Sequence, residues 1–516
     1  MEILESYLSG QWVRGEGAAS ELQNPTSGET IASCSSVGLD LAGALKFARE
    51  VGGPALRALS FAERGALLER MSQAIHGQRE ALIELCVSSC GNTRSDAKFD
   101  LDGASGTLMA YAELGKELGE RRILEDGEAI DIGTGSRLQG RHVRLPLRGV
   151  AVHIGAFNFP AWGWAEKAAC ALLAGMPVLT KPATATAQVA YHSFKSVVDA
   201  AEVPSGVLSL LCGNPGDLLS HLSWHDVVAF TGSSRTARGI RGLDNLLDRG
   251  VRVNVEADSL NAAVLLAGAK DAAYDAFIRD VHRDMTQKAG QKCTAIRRIL
   301  VPTDDLERVR ESLSERLAET RIGDPAIEGV RVGPLATKRQ QADVRAAVGE
   351  LLQASKLAWG KLEGFQLEGA DAERGAFVAP LLLETGDAGP EHPVHHVEAF
   401  GPVATLIPYD GSVGQAANLV RAAQGSLVTS VYGDDRELAG ELLLELLPFN
   451  GRVVVTDSKI ADRAPGPGTV LPQLLHGGPG RAGGGEELGG LRGLGLYQQR
   501  TAVQGNGPLI ARYLGG

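Results

Sequence analysis

The stretch GVAVHIGAFNFP, Gly149 to Pro160, and the following WAEKAACALLAG, Trp164 to Gly175, decide the fold class. The first is typical of a buried strand that ends in a turn, and the second of a helix closed by a glycine. Strand patterns (MPVLTKP, VLSLLCG, VVAFTG) then alternate with helix patterns. Repeated alternation implies right-handed crossovers and a parallel sheet with helices on both faces. We therefore predict an α/β protein of a nucleotide-binding type.

The rest of the chain extends this prediction. Apolar spacing indicates amphipathic helices from about residue 40 to 120. RVNVEADSLNAAVLLAGA is typical of two strands around a turn, and the pattern restarts at Ala272, which suggests a second α/β domain. The segment Ala464 to Gly495 is too rich in glycine and proline for persistent regular structure, so it is either a flexible linker or an ordered loop close to a ligand. The final LYQQRTAVQGNGPLIARYL alternates like a strand, which favours an oligomer.

Composition excludes several classes of function. The 516 residues are enough for two or three domains. A net charge of -11 argues against a nucleic-acid partner. The cysteines form no CxxC pair, so we expect reduced thiols in a cytoplasmic protein, without disulfides or a metal cluster. The N-terminus does not resemble a secretory signal, and no apolar run is long enough to predict a membrane span.

Three polar features stand where predicted strands end, which is where open parallel sheets bind their ligands. They are Asn158, Lys181 and the turn formed by Thr231, Gly232 and Ser233. Free N–H groups at the start of the following helix favour an anion such as a pyrophosphate. FTGSS is not GxGxxG, however, and an ordinary capped helix starts in the same way.

The stretch KAGQKCTAIRR, Lys288 to Arg298, places Cys293 among four basic residues. Neighbouring cations lower the pKa of a thiol and so favour a nucleophilic thiolate. The alternative is an inert, half-buried cysteine in a glycine turn. Gly290 would let the backbone bend so that the Cys293 N–H faces a developing oxyanion. In that case the basic residues serve folding or subunit contacts.

The order of short motifs along the chain distinguishes between these interpretations. FNFP at 157–160, KPA at 181–183, FTGS at 230–233, a glutamate at 256, GQKC at 290–293 and EAFGPV at 398–403 together resemble the aldehyde dehydrogenase superfamily. VEADSLNAAVLL and LPQLLHGGPGRAGGGEELGGLR resemble the dehydrogenase part of the bifunctional ring-opening enzyme of phenylacetate degradation and its stand-alone relatives. Because no hydratase domain follows, the chain resembles the stand-alone type.

This resemblance implies the aldehyde dehydrogenase fold. A Rossmann-like cofactor domain is expected from residues 1–124 and 150–256, and a second α/β, catalytic domain from residues 257–480. Residues 125–149 and 487–516 are expected to form a small oligomerisation element, and the assembly to be a homodimer.

The resemblance also implies catalytic roles. Cys293 matches the nucleophile, Glu256 the residue that activates the hydrolytic water and helps deprotonate the thiol, and Asn158 an oxyanion donor that acts with the Cys293 N–H. As ordinary turn residues, Glu256 would be solvated and Asn158 would cap a helix. Lys167 matches a lysine near the active site or is a surface residue, and Glu487 matches a second glutamate invoked in proton transfer.

Cofactor contacts follow from the same resemblance and involve eight residues: Phe157, Lys181, Thr184, Thr231, Gly232, Ser233, Glu398 and Phe400. Strictly NAD-dependent relatives often carry a glutamate at the position of Thr184, which repels a ribose 2′-phosphate. Threonine removes that charge and Lys181 supplies a cation, so we predict a preference for NADP. Ala237 stands where the family often has glycine, so packing between cofactor and helix is expected to differ there.

The substrate implied is a small-molecule semialdehyde joined to coenzyme A. We expect 3,4-dehydroadipyl-CoA semialdehyde from aerobic benzoate degradation, with the open-chain semialdehyde of phenylacetate degradation or another aldehyde as alternatives. Arg481 and His476 are candidates to meet the CoA phosphates. Two other classes stay open, namely a CoA-acylating dehydrogenase and a non-catalytic protein that kept the fold.

Overall fold

The computed structural model describes residues 1–133 and 137–514. Its strands, in chain order, are β1 (Glu2–Leu4), β2 (Ser6–Leu8), β3 (Gln11–Val13), β4 (Ser20–Gln23), β5 (Thr30–Cys34), β6 (Leu124–Glu125), β7 (Ile130–Asp131), β8 (Leu138–Pro146), β9 (Ala151–Ile154), β10 (Val178–Lys181), β11 (Leu208–Leu210), β12 (Val227–Thr231), β13 (Arg252–Glu256), β14 (Asn261–Leu265), β15 (Ile296–Pro302), β16 (Lys356–Trp359), β17 (Leu381–Glu384), β18 (Val403–Tyr409), β19 (Ser426–Tyr432), β20 (Asn450–Thr456), β21 (Leu475–Gly477), β22 (Glu486–Leu488) and β23 (Gln498–Asn506).

The α-helices, in chain order, are α1 (Leu41–Phe47), α2 (Gly53–Ala58), α3 (Phe61–Gly77), α4 (Arg79–Cys90), α5 (Arg94–Leu118), α6 (Trp162–Ala174), α7 (Ala187–Ala200), α8 (Ser234–Arg241), α9 (Asp244–Asp248), α10 (Asp271–Thr286), α11 (Leu306–Ala318), α12 (Lys338–Leu351), α13 (Val413–Arg421), α14 (Arg436–Leu446), α15 (Leu491–Leu494) and α16 (Gly507–Leu514).

The predicted parallel sheet is confirmed, and it has seven strands in the order β13-β12-β9-β10-β11-β2-β3. Strands β9 to β13 run parallel, whereas β2 and β3 add antiparallel strands at one edge. The middle strands are buried along almost their whole length. Such burial requires helices on both faces, which accounts for the apolar runs read from the sequence.

The second predicted α/β unit is a separate seven-stranded sheet with the order β16-β17-β18-β15-β14-β19-β20. All its strands are parallel to their neighbours except the edge strand β16. A core of its own surrounds it. The α/β class predicted from the sequence is therefore confirmed for both halves.

Long helices from the N-terminal third pack against one another and against α6 and α7, and they share one hydrophobic core with strands of the first sheet. The continuous pattern around residue 78 is two helices, since α3 ends at Gly77 and α4 begins at Arg79. A capping box between Ser60 and Glu63 fixes the start of α3. No helix within residues 1–133 and 137–514 is both long and apolar enough to cross a membrane.

Strand β23 pairs antiparallel with β8 over nine residues of each strand. The strand expected at the C-terminus ends at Asn506, and the prediction of a strand beyond it is wrong, because residues 507–514 form α16. Pro508 is tolerated there since the first turn needs no backbone donor. Residues 134–136 and 515–516 of the two predicted oligomerisation segments lie outside the described residues.

The glycine-rich segment Ala464 to Gly495 folds back onto the first sheet. It contains the two-stranded sheet β21-β22 and the short helix α15. Gly485 N–H donates to Val255 O and Ala257 N–H to Ala482 O, each at 3.0 Å. The flexible-linker interpretation is wrong, because these backbone bonds join the segment to strand β13.

Candidate active site

Register in the first sheet brings its polar strand ends together. Ile154 of β9 pairs with Lys181 on one side and Phe230 on the other, and Thr231 pairs with Glu256. The carboxyl ends of β9, β10, β12 and β13 therefore lie level at one edge, as a parallel sheet requires. This edge is one wall of the candidate site.

The second sheet meets the same site with its amino ends. Cys293 lies just before β15, and Asn261 is the first residue of β14. Asn261 Nδ2 donates to Cys293 O at 2.8 Å and to Ala295 O at 2.9 Å, and its Oδ1 accepts from Ser259 Oγ at 2.7 Å. This fully buried amide fixes the backbone on both sides of Thr294. Sequence reasoning missed Asn261, and a polar residue opening an apolar strand was the available signal.

Gly290 makes the turn before Cys293 possible. Its φ is +70°, and a Cβ there would lie 2.1 Å from Gly401 O. Only glycine fits both the conformation and the contact. The turn thus seats the GQKC motif against the EAFGPV motif. Among the described residues the Cys293 N–H donates to no carbonyl, so it is available to a ligand.

The predicted catalytic residues line one cavity between the two sheets. Cys293, Glu256 and Asn158 all border it, and Asn158 and Glu256 are buried. The solvated-turn alternative for Glu256 is therefore wrong. The rest of the wall is mostly apolar or small, with Glu166 and Lys167 of α6 and His476 as its remaining titratable side chains. The residues are Gly155, Ala156, Phe159, Trp162, Gly163, Glu166, Lys167, Thr231, Thr294, Gly468, Val470 and His476.

Within the cavity, Cys293 lies beside a carboxylate and an imidazole. His476 Nε2 is 3.9 Å from Cys293 Sγ and 3.3 Å from Glu256 Oε2. Burial raises the pKa of the Cys293 thiol, and the charge of Glu256 raises it further. Burial alone would raise the pKa of Glu256, but His476, Lys167 and the thiol together lower that pKa to about 2. The resting pair is thus a neutral thiol beside an ionised carboxylate.

The basic residues around Cys293 are buried, and three of the four bind other partners, whereas Lys288 Nζ has no hydrogen-bond partner among the described residues. Lys292 Nζ contacts Asp284 Oδ1 at 2.6 Å, and Arg297 donates to Gly401 O at 2.7 Å. Arg298 is fully buried and donates to Leu419 O at 2.6 Å. Activation of the thiol by neighbouring cations stays a prediction, although the hydrogen bonds of Lys292, Arg297 and Arg298 go to structural partners. Their role in folding contacts is confirmed.

A second charged cluster lies behind the cavity on α6 and β22. Lys167 Nζ is 2.7 Å from Glu487 Oε2 and 3.4 Å from Glu166 Oε1, and Asn254 Nδ2 donates to Glu487 Oε1 at 3.3 Å. Lys167 is buried, so the surface alternative for it is wrong. Burial raises the pKa of Glu166 to about 7. The cluster places Lys167 and Glu487 together near the cavity, as the sequence motifs suggested.

The residues assigned to a nicotinamide cofactor also gather near Cys293. The Phe400 ring lies 5.8 Å from the Phe157 ring. Among the described residues Thr231 Oγ1 and Glu398 Oε1 have no hydrogen-bond partner, although Arg297 Nε lies 3.7 Å from Glu398 Oε1. Burial raises the pKa of Glu398 to about 7. Unpartnered buried polar atoms imply a ligand that satisfies them. The residues present therefore fit a nicotinamide dinucleotide.

The predicted anion turn carries an acidic neighbour that the sequence did not reveal. Ser233 caps α8 through Thr236 N–H, and Asp258 accepts from Ser234 N–H at 3.0 Å. The Ser234 N–H at the start of α8 is therefore already hydrogen-bonded to the carboxylate of Asp258. Ala237, at the position often occupied by glycine, is buried against the first sheet's core.

His476 does not lie where the sequence interpretation placed it, whereas the assignment of Arg481 to CoA phosphates stays a prediction. His476 is only 4% exposed and faces Glu256, so its assignment to CoA phosphates is wrong. Arg481 Nη1 donates to His396 O at 2.7 Å. Nothing in the local pattern LLHGG distinguishes a catalytic-site histidine, because the contact depends on the return of β21 to the first sheet.

Known proteins resemble this chain along most of its length. The model of the aldehyde dehydrogenase family matches residues 12–489. A 3,4-dehydroadipyl-CoA semialdehyde dehydrogenase of Aromatoleum evansii is 44% identical over 478 residues, covering 92% of this chain and 93% of that protein. The NADP(+) succinate-semialdehyde dehydrogenase of Escherichia coli K12 is 27% identical, covering 78% of this chain and 80% of its own.

Solved structures share the fold at low identity. A 3,6-anhydro-L-galactose dehydrogenase in complex with NAP superposes with a TM-score of 0.83 at 21% identity, covering 98% of this chain and all of its own, 100%. A betaine aldehyde dehydrogenase double mutant from Staphylococcus aureus, in complex with NAD+, superposes with a TM-score of 0.84 at 21% identity. The superposition covers 98% of this chain and 97% of that chain. The predicted fold is thereby confirmed, and with the family match over residues 12–489 the chain belongs to the aldehyde dehydrogenase family.

Proposed function

We propose that this aldehyde dehydrogenase oxidises a CoA-linked semialdehyde to the free carboxylic acid with NADP, and that the substrate is 3,4-dehydroadipyl-CoA semialdehyde of aerobic benzoate degradation. The observation that carries the chemistry is the cavity shared by Cys293, Glu256 and Asn158. The substrate is supported by the 44% identity to the Aromatoleum evansii enzyme.

The first step is attack of Cys293 Sγ on the aldehyde carbon. The thiol proton passes to Glu256, because the raised pKa of the thiol prevents spontaneous ionisation while the carboxylate beside it is ionised. The carbonyl oxygen becomes an oxyanion that accepts from the Asn158 amide and the Cys293 N–H. The product is a thiohemiacetal on Cys293.

A bound nicotinamide cofactor would supply a hydride acceptor, by which the thiohemiacetal on Cys293 would be oxidised to a thioester. In this chain, Thr231 and Glu398 offer the unpartnered polar atoms that would hold it, with Phe400 beside the ring. Lys181 at the end of β10 and Thr184 just beyond it would face the adenosine ribose. Because Lys181 is a cation and position 184 carries a threonine and no glutamate, a ribose 2′-phosphate would not be repelled there, which supports NADP over NAD.

Hydrolysis completes the reaction. After Glu256 has released the thiol proton to solvent, water adds to the thioester carbon and gives a proton to Glu256, the C–S bond breaks, and Cys293 Sγ recovers that proton. Glu256 is well placed for this role because its Oε1 is buried and has no hydrogen-bond partner. A base beside the thioester supports hydrolysis and disfavours the alternative in which coenzyme A takes the acyl group.

The assembly proposed is a cytoplasmic homodimer. Strand β23 leaves one edge unpaired in the described sheet, whose order is β23-β8-β6. An exposed edge of nine residues is suited to pairing with a second copy. We assign residues 125–149 and 487–516 to this element, residues 1–124 and 150–256 to the cofactor domain, and residues 257–480 to the catalytic domain.

The function is tested by following reduction of NADP and of NAD with a panel of aldehydes. The panel contains the CoA-linked semialdehydes of the benzoate and phenylacetate routes and their free counterparts. We expect the highest kcat/KM with 3,4-dehydroadipyl-CoA semialdehyde and NADP, with free acid formed without added coenzyme A. Activity confined to short free aldehydes would contradict the substrate, and strict dependence on coenzyme A would contradict hydrolysis.

A further inference from the structure

The imidazole of His476 occupies a position that the proposed mechanism does not use. Its Nε2 lies 3.3 Å from Glu256 Oε2 and 3.9 Å from Cys293 Sγ, so one ring nitrogen faces both reacting side chains. The three side chains are compact, with the ligand-type atoms of Cys293, Glu256 and His476 all within 4.8 Å of one another. His476 and Glu256 are buried, so the contact is shielded from water.

The contact between His476 Nε2 and Glu256 Oε2 is attractive when Nε2 carries a proton. A lone pair on Nε2 would face the carboxylate oxygen across 3.3 Å without a proton between them. A proton on Nε2 instead pairs with Glu256 Oε2 at 3.3 Å, while Oε1 has no hydrogen-bond partner among the described residues. The free oxygen is the one available to take a proton from the thiol and later from water.

We infer that His476 is a positioning residue, whose Nε2–H holds Glu256 Oε2 and keeps the carboxylate ionised and turned toward Cys293. The inference rests on the proposed acyl-cysteine function and adds a third member to its acid–base group. No bond to substrate forms on His476, and its proton stays on the ring. The proton that leaves Cys293 or water goes to Glu256 Oε1.

The charges around the imidazole support this assignment. Burial lowers the pKa of His476, but Glu256 and Glu166 raise it above its ordinary value overall, while Arg452 of β20 opposes them. Across the two-stranded sheet, His476 pairs in register with Glu487, which is itself bound to Lys167. Glu256 and Glu166 thus outweigh Arg452 and favour the protonated form of the ring.

Removing the imidazolium should therefore change how Glu256 titrates. Burial has the largest effect on the pKa of Glu256 and raises it, whereas His476 has the largest effect among the groups that lower it. Without that cation, Glu256 should take up its proton at a higher pH. The acid limb of any step that needs the ionised carboxylate should then move to higher pH.

The test compares His476→Phe, which removes the donor, with His476→Gln, which retains a neutral N–H at a similar reach. Hydrolysis of p-nitrophenyl acetate is the reaction, since it forms and hydrolyses an acyl-Cys293 without nicotinamide or a CoA-linked aldehyde. The pH profile of the steady-state rate is measured with each variant. His221→Gln is the matched control, because His221 forms a histidine–carboxylate pair with Asp217 at 2.8 Å on the surface.

We expect the acid limb of His476→Phe to move up by about one pH unit or more. His476→Gln should shift less and recover most of the rate on the plateau, and His221→Gln should match the parent. The inference would be overturned if both His476 variants kept the acid limb of the parent enzyme. It would also be overturned if His476→Phe and His476→Gln had identical pH profiles. Absence of Cys293-dependent ester hydrolysis in the parent enzyme would instead contradict the proposed acyl-cysteine function itself.

Discussion

The two seven-stranded sheets contribute to the site with opposite ends. The first sheet presents the carboxyl ends of its strands, where Lys181, Thr231 and Glu256 lie level. The second presents its amino ends, with Asn261 opening β14 and Cys293 just before β15. The first arrangement follows from the general rule for parallel sheets. The second exists only because buried contacts hold the turns before the strands.

The difference teaches where precision in this site originates. A strand end is positioned by its ladder, so the first sheet needs few special residues. A turn before a strand has no ladder, and here the Asn261 amide and the Gly290–Gly401 contact replace it. Substitutions on the two sides should therefore separate loss of the nucleophile from loss of the groups that serve it.

The largest effect is expected on the second-sheet side. Cys293→Ala removes the nucleophile, and kcat for aldehyde oxidation should fall by at least about a thousandfold. Binding of NADP, followed by fluorescence titration, should persist because the cofactor contacts lie elsewhere. Cys86→Ala is the control, as that buried cysteine lies outside the cavity. Undiminished hydride transfer by Cys293→Ala would support the non-catalytic or alternative-nucleophile interpretation.

On the first-sheet side, Asn158→Ala should lower kcat by about a hundredfold to a thousandfold with little change in the free energy of unfolding. The physical reason is loss of one preorganised donor to the oxyanion. Asn245→Ala, which alters an amide bound to Leu219 O on another surface, should leave kcat unchanged. A drop confined to thermal stability would mean that Asn158 only caps its turn.

How much of this site the sequence could reveal depends on the side considered. Alternating patterns predicted the first sheet and placed Asn158, Lys181 and Thr231 at its carboxyl edge. Cys293 and Glu256 entered as catalytic residues only through the resemblance to a family. His476 and Asn261 were not identified, because their roles arise from contacts between segments far apart in the chain. The glycine-rich segment resembled a linker since its order comes from bonds to β13.

A smaller effect is expected at the adenosine end of the first sheet. Thr184→Glu restores a carboxylate where a ribose 2′-phosphate would lie, so kcat/KM with NADP should fall by about tenfold or more relative to NAD. Measuring both cofactors on the same preparation provides the control. An unchanged ratio would contradict the assignment of Thr184 to cofactor selection.

The smallest effect expected is the pH dependence of NADP binding through Glu398, which lies just before β18 of the second sheet. Burial raises the pKa of Glu398 to about 7, so its carboxylate is ionised above pH 7 and loses acceptor capacity as the pH falls below it. We expect NADP to bind about tenfold more weakly well below pH 7 than well above it. Any pH dependence of NADP binding that persists in Glu398→Gln comes from titration of the cofactor. An identical pH dependence in the parent enzyme and in Glu398→Gln would contradict a role for Glu398.

The central claim is that Cys293 carries the acyl group and that Glu256 is needed to release it. The most direct measurement is intact-protein and peptide mass spectrometry of Glu256→Gln mixed with NADP and 3,4-dehydroadipyl-CoA semialdehyde. We expect one equivalent of NADPH, formed more slowly than in the parent enzyme because the thiol has lost its base, and a matching acyl mass that persists on the peptide that contains Cys293. Steady turnover at the parent rate, or an acyl mass on any other residue, would contradict it.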